Sequence, residues 1–151
     1  MEDEIDRVDA SEIVAPSKDW FLIDLIEWVN GTSLSFGITL TVGGSTITGE
    51  LISGKAFFDN FAEKFSEGMA KAGADDEVVG KTKKFYSSFG DIYGPKKGEE
   101  NKDAPDPVFV HLKDARTFNG ANHSVPSNKG SYWRGRISSV DGFMMSSMDA
   151  S

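Results

Sequence analysis

The clearest order in the chain is a strict alternation. Leu34, Phe36, Ile38, Leu40 and Val42 are apolar, while Ser35, Gly37, Thr39 and Thr41 between them are small or polar. That period of two sets one face of a strand against a core. Gly43-Gly44 follows, a pair that tolerates positive φ at both positions of a two-residue turn. The turn sets Val42 opposite Ser45, Leu40 opposite Ile47, Ile38 opposite Gly49 and Phe36 opposite Leu51. Turn chemistry and patterning therefore predict the same hairpin in the same register.

Helical periods flank it. "SKDWFLIDLIEWVNG" predicts a helix with Ser17 as N-cap, Asp19 in the first turn and Asn30-Gly31 as its stop. Trp20, Leu22, Ile23, Leu25, Ile26 and Val29 give it a broad apolar face that must dock on something. After the hairpin, Phe57, Phe61, Phe65 and Met69 recur every fourth residue, with Phe58 and Ala62 beside them. A row of that kind predicts core packing, not a ligand box. A third helix runs through "DDEVVGKTKKFYSSFG", with acids at its start, Val78, Val79, Phe85, Tyr86 and Phe89 on one side, and Gly80 inside it as a liability. Residues 90–107 mix Gly, Pro and balanced charge and read as a flexible linker.

"VFVHL" then predicts a strand with Val108, Val110 and Leu112 on one face, which "ARTF" extends. Residues 113–131, with Asn119-Gly120, Pro126 and Gly130, read mostly as connection. In "YWRGRISSVDGFMM", Asp141-Gly142 predicts a type I′ turn and a closing hairpin. Its register pairs Val140 with Phe143, Gly135 with Met148 and Arg134 with Asp149. Trp133, Ile137, Met144 and Met148 then face the core, and Arg134 and Arg136 point away from it. Gly135 leaves room for Trp133 or a neighbouring strand. The expected fold is α+β: a small, strongly bent, five-stranded antiparallel barrel of SH3/Sm-like type. An N-terminal helix precedes it, and a helical insertion at about residues 55–107 separates its second and third strands. Residues 1–16 form an acidic leader, and residues 17–151 a single domain.

Composition narrows the function. The chain has 151 residues, 38% of them hydrophobic, and no cysteine. That excludes disulfides, thiolate catalysis and Cys-ligated zinc. No apolar run approaches the ~18 residues that span a bilayer, and the acidic start is not a secretory signal, so the expected address is cytoplasmic. A net charge of −8 argues against general nucleic-acid binding. The charge is also segregated. Glu2, Asp3, Glu4, Asp6, Asp9 and Glu12 crowd the leader against Arg7, whereas Lys113, Arg116, Lys129, Arg134 and Arg136 face only Asp114 across residues 108–140. Opposite charges on one chain, together with sheet edges, predict salt-sensitive self-association.

No reaction can be assigned. His111 sits in an apolar strand on the face opposite Val110, and His123 in a polar loop; neither has acids at ligand spacing, so both read as ordinary surface or hydrogen-bonded histidines. There is no G-x-S-x-G, no phosphate-cradling glycine loop, and Asp75-Asp76-Glu77 lacks the spacing of a calcium loop. The expectation is a protein without catalytic residues, cofactor or metal.

Two resemblances add to this. "LTVGGSTITGEL", with Gly44 and Gly49 five apart and Leu51 two later, resembles the first Sm motif, and "YWRGRISSV" resembles the second. The polar residues with which Sm proteins contact bases have no counterpart, since "SGKAFFDNF" enters a helix instead. Two longer blocks, "SFGITLTVGGSTITGELISGKAFFDNFAEKFSEG" and "VFVHLKDARTFNGANHSVPSNKGSYWRGRISSVDGFMM", are similar to the U-type gas vesicle accessory proteins. That resemblance implies a soluble accessory protein that binds the vesicle shell or itself and influences vesicle assembly or clustering. Arg134, Arg136, Arg116 and Lys129 are the candidate contact residues, on a frame set by Gly44, Gly49, Trp133, Gly135, Asp141 and Gly142. An Sm-like nucleic-acid-binding module using the same four cations is the alternative.

Overall fold

The computed structural model describes residues 18–94, 106–118, 120, 123–127 and 129–146. The acidic leader, Ser17, most of the expected linker, Met148 and Asp149 lie outside these. Helix α1 spans Trp20–Gly31. Its N-cap is Asp19, two residues later than the expected Ser17: one carboxylate oxygen accepts from the amides of Phe21 at 2.9 Å and Leu22 at 3.2 Å. A carboxylate satisfies those free amides and complements the helix dipole at once. Leu22, Ile23, Ile26 and Val29 are buried. Trp20, expected on the docked face, is 77% exposed and stacks on Phe21.

Strands β1 (Phe36–Val42) and β2 (Ser45–Ile52) pair in the expected register throughout. Gly43 and Gly44 both hold positive φ, +55° and +84°. Strand β3 (Phe109–Phe118) pairs with β2 and includes the "ARTF" extension. The outer edge of β3 is shared by β5 (Ser131–Arg136) and the two-residue β4 (Ser124–Val125). Strand β6 (Gly142–Met144) pairs with β1. Among the described residues the result is one antiparallel sheet of six strands, not five, in the order β4-β3-β2-β1-β6 with β5 also on β3. The sixth strand, β4, arises from residues that read as connection, and the sheet is not closed into a barrel by strand pairing.

The expected closing hairpin does not form. Its two arms go to opposite edges of the sheet, joined by a 3-10 turn at Ile137–Ser139. Ile137 is buried and its amide donates to the Val108 carbonyl at 2.8 Å, which commits the chain to the core before any turn begins. Neither Asp141 nor Gly142 adopts positive φ. Instead the Asp141 carboxylate accepts from the Gly43 amide at 3.0 Å, and the Asp141 amide donates to the Thr41 carbonyl at 2.8 Å. The Asp-Gly pair thus anchors the turn of the first hairpin. Phe143 lies opposite Leu40 and packs on the core, while Met144, expected inward, is 57% exposed. Six peptide steps from Arg136 to Gly142 reach at most about 20 Å, and four strand spacings of about 4.8 Å separate β5 from β6, so the crossover is close to the shortest that can join the two edges.

Each face of the sheet carries a helical layer. On the first, α1 covers Ile38, Leu40, Ile47, Leu51, Val110, Leu112, Ala115 and Ile137. Helix α2 (Gly54–Lys71) and the 3-10 turn Phe89–Tyr93 cover the second, and α3 (Asp76–Ser88) rides on α2 without a buried residue of its own. The aromatic row of α2 is therefore not core as expected. Phe61 and Phe65 stay 40% and 43% exposed and meet Tyr86 of α3 edge-on; the buried side chains on α2 are Ala62 and Ser66. The start of the expected linker is ordered too, with Tyr93 buried against the sheet.

Candidate functional site

The second face holds the most concentrated polar chemistry among the described residues. Strand β5 puts Arg134 directly opposite His111 of β3. Arg134 Nη1 donates to His111 Nε2 at 2.6 Å and to the Tyr93 hydroxyl at 3.0 Å. Its guanidinium lies 3.7 Å from the centre of the Phe109 ring and 5.2 Å from that of Phe58, within range of favourable cation–π contact. Arginine has no acceptor, so Nε2 must accept and the imidazole proton sits on Nδ1.

His111 is 2% exposed, with the rings of Phe57, Phe58 and Tyr93 at 4.8, 6.0 and 5.1 Å. Burial pushes its pKa from 6.5 down to about 3, and the adjacent Arg134 charge acts in the same direction. Both effects penalise a second cation in a space already holding one. His111 is therefore a neutral hydrogen-bond acceptor, consistent with the hydrogen-bonded reading and not the surface one.

Close approach of the turn to α2 depends on a missing side chain. A Cβ on Gly54 would fall within the Tyr93 ring, and the Gly54 amide donates to Asn30 Oδ1 at 3.0 Å. Asn30, expected only as a helix stop, thus ties the end of α1 to the start of α2. Gly135 behaves as the sequence predicted: a Cβ there would meet the Trp133 ring.

The four candidate cations sit in different surroundings. Arg134, expected outward, is part-buried under aromatic rings, because α2 covers a face that the sequence left open. Arg136 is exposed opposite Phe109. Arg116 lies past the β3 irregularity, with Nη2 3.8 Å from the Asp114 carboxylate. Lys129 is exposed between β4 and β5. Beside the Arg134 cluster is a cleft of about 450 Å³ lined in part by Asn30, Ser53, Lys55, Tyr93, Lys113 and Tyr132. Its lysines are engaged, Lys55 with Asp59 at 3.3 Å and Lys113 with Glu50 at 3.2 Å. Among the described residues no group of three or more His, Asp or Glu is placed to hold a metal.

Sequence reasoning gave Phe58 a place on a helix face but no contact with His111, passed over Tyr93 and Phe109, and left His111 without a functional role. The signal was present in "VFVHL": a near-continuous apolar run belongs to a strand covered on both faces.

Compared with known families, the chain matches the one described as Gas vesicle protein GvpU-like over residues 19–148. The chain belongs to the GvpU-like family. No curated protein and no solved structure matches it. The match spans α1, the whole sheet and the α2–α3 layer, so this GvpU-like chain carries the Arg134 cluster within the family's own extent. No described helix is long and apolar enough to cross a membrane.

Proposed function

We propose that this GvpU-like protein is a non-enzymatic accessory factor that binds the gas vesicle shell and other copies of itself, and so influences how vesicles assemble or cluster. The family match over residues 19–148 carries this reading. The surface supports it: Phe61, Phe65, Phe85 and Phe89 on the α2–α3 pair, and Trp20, Met144 and Met145 elsewhere, leave large apolar side chains in solvent. Exposed apolar groups in such numbers favour protein contacts. We also read the antiparallel sheet, with its short 3-10 crossover, as an open relative of the SH3/Sm-like barrel. Nothing favours the nucleic-acid alternative, since Arg134 is engaged within the fold.

The test is co-flotation. Purified gas vesicles stripped of accessory proteins are mixed with the full chain at low salt and floated. Co-flotation and vesicle clustering that weaken as salt rises are expected. Protein that stays in the subnatant and sediments as a monomer at every salt and protein concentration would overturn the proposal.

A further inference from the structure

Everything that touches His111 is apolar, neutral or already positive. On β3 its same-face neighbours are Phe109 and Lys113, and Lys113 is paired with Glu50 at 3.2 Å. Strand β2 presents Ile52 opposite it, and β5 presents Arg134. Helix α2 lays Phe57 and Phe58 on its ring, and Phe57 also meets Tyr132. The charges next to those rings on α2, Lys55 and Asp59, are paired with each other at 3.3 Å. The 3-10 turn presents Tyr93 edge-on, while its Asp91 is exposed. Among the described residues no carboxylate is paired with Arg134 or placed to receive a proton-bearing His111.

The same contacts hold two layers together. His111 and Arg134 belong to the sheet; Phe57, Phe58 and Tyr93 belong to the helical layer. Arg134 reaches Tyr93 and the Phe58 ring while its other bond ends on His111.

We propose that His111 and Arg134 form a proton-sensitive clasp between the sheet and the α2–α3 layer. When Nε2 takes a proton from solvent it ceases to accept from Arg134, and two cations are left facing each other at hydrogen-bond distance. Helices α2 and α3 and the turn Phe89–Tyr93 then part from the sheet, uncovering Phe57, Phe58, Phe109 and Tyr93. The α1 face, whose packed residues are aliphatic and aromatic with no titratable group among them, keeps its packing.

The sign follows from linkage. The closed layer holds its imidazole neutral, whereas the open layer lets it protonate as an ordinary histidine. Above a pH of about 6.5 both states are neutral and the clasp is at full strength. Between about 6.5 and 3 the open state binds the extra proton, and closure weakens by up to about tenfold per pH unit.

Hydrogen exchange of the full chain from pH 7 to 3.5, corrected for intrinsic rates, tests this. Residues 54–93 should lose protection as the pH falls, while residues 20–31 and 36–52 keep theirs. His111→Gln retains an oxygen that accepts from Arg134 and does not titrate, and should abolish the acid step. Should that variant not fold, His111→Phe also removes the titration, and the imidazole resonances of the unaltered protein give an independent readout. They should show His111 neutral until the layer opens. Loss of protection in all regions together would overturn the clasp. So would an acid step that survives in the non-titrating variant, or His111 taking up its proton near pH 6.5 with residues 54–93 still protected.

Discussion

The two faces of the sheet are held by different physics. Under α1 the buried centre is aliphatic and closed, with Phe36, Trp133 and Phe143 only at its margin: Leu22, Val29, Ile38, Leu40, Leu51, Val110 and Leu112 have no exposed surface. Under α2 they are aromatic, partly open and organised around one guanidinium, and α3 stands on that layer with nothing buried. Aliphatic close packing is non-directional and dense, so it supports the global fold. A layer with half-exposed rings and a single polar clasp has fewer buried contacts and belongs to the part of a protein that opens first. The comparison separates what keeps this protein folded from what it can release.

The largest expected effect lies on the first face. Leu40→Ala removes a fully buried side chain between α1 and the sheet, and truncations of this type destabilise by about 2–5 kcal/mol. Urea unfolding measures it directly. If Phe61→Ala on the second face proved equally damaging, the two faces would not differ as described. Next comes Gly135→Ala. Its new methyl group would occupy space filled by the Trp133 ring, and overpacking of this kind typically destabilises by about 1–3 kcal/mol. The near-UV spectrum should change with it, because the indole must move; an unchanged spectrum at full stability would mean that the ring does not lie over Gly135.

Arg134→Met tests the clasp without touching α1. It leaves His111 and the Tyr93 hydroxyl without their donor in a mostly apolar space, a loss of about 1–3 kcal/mol on the usual scale for buried polar groups. The loss should concentrate in exchange protection of residues 54–93. Arg134→Lys should not restore it, since one ammonium lacks the planar fork and the ring stacking. A uniform loss across both layers, or full rescue by lysine, would remove the distinction.

How much of this was legible in the sequence depended on distance along the chain. The β1–β2 hairpin was readable to the residue because its turn dipeptide and its alternation lie within one window and agree. The pairing of Arg134 with His111 spans 23 residues, and β6 finds β1 from the far end of the chain. Local rules then competed with tertiary contacts and lost. Asp141-Gly142 has the chemistry of a hairpin turn, but Ile137 was already committed to the core and the Asp141 carboxylate to the Gly43 amide. A shift of one residue in what faces inward followed, exchanging Met144 for Phe143. Arg134 was misjudged for a related reason: alternation placed it, like the exposed Arg136, on the face away from the first core. It could not show that the Phe57–Phe58 end of α2 would return to cover that face.

The smallest expected effect on stability lies farthest from both cores. Phe85 on α3 is 57% exposed and touches only the rings of Tyr86 and Phe89 among its aromatic neighbours. Phe85→Ser should therefore shift unfolding by less than about 1 kcal/mol, as surface changes usually do. If the exposed rings of the α2–α3 layer serve protein contacts, the same substitution should weaken self-association and vesicle clustering well beyond its effect on folding. Sedimentation and co-flotation of a variant with unaltered urea unfolding would separate the two. Clustering that persists undiminished would move the contact surface away from this layer and toward the Trp20 and Met144 region, where the same pair of measurements can be repeated.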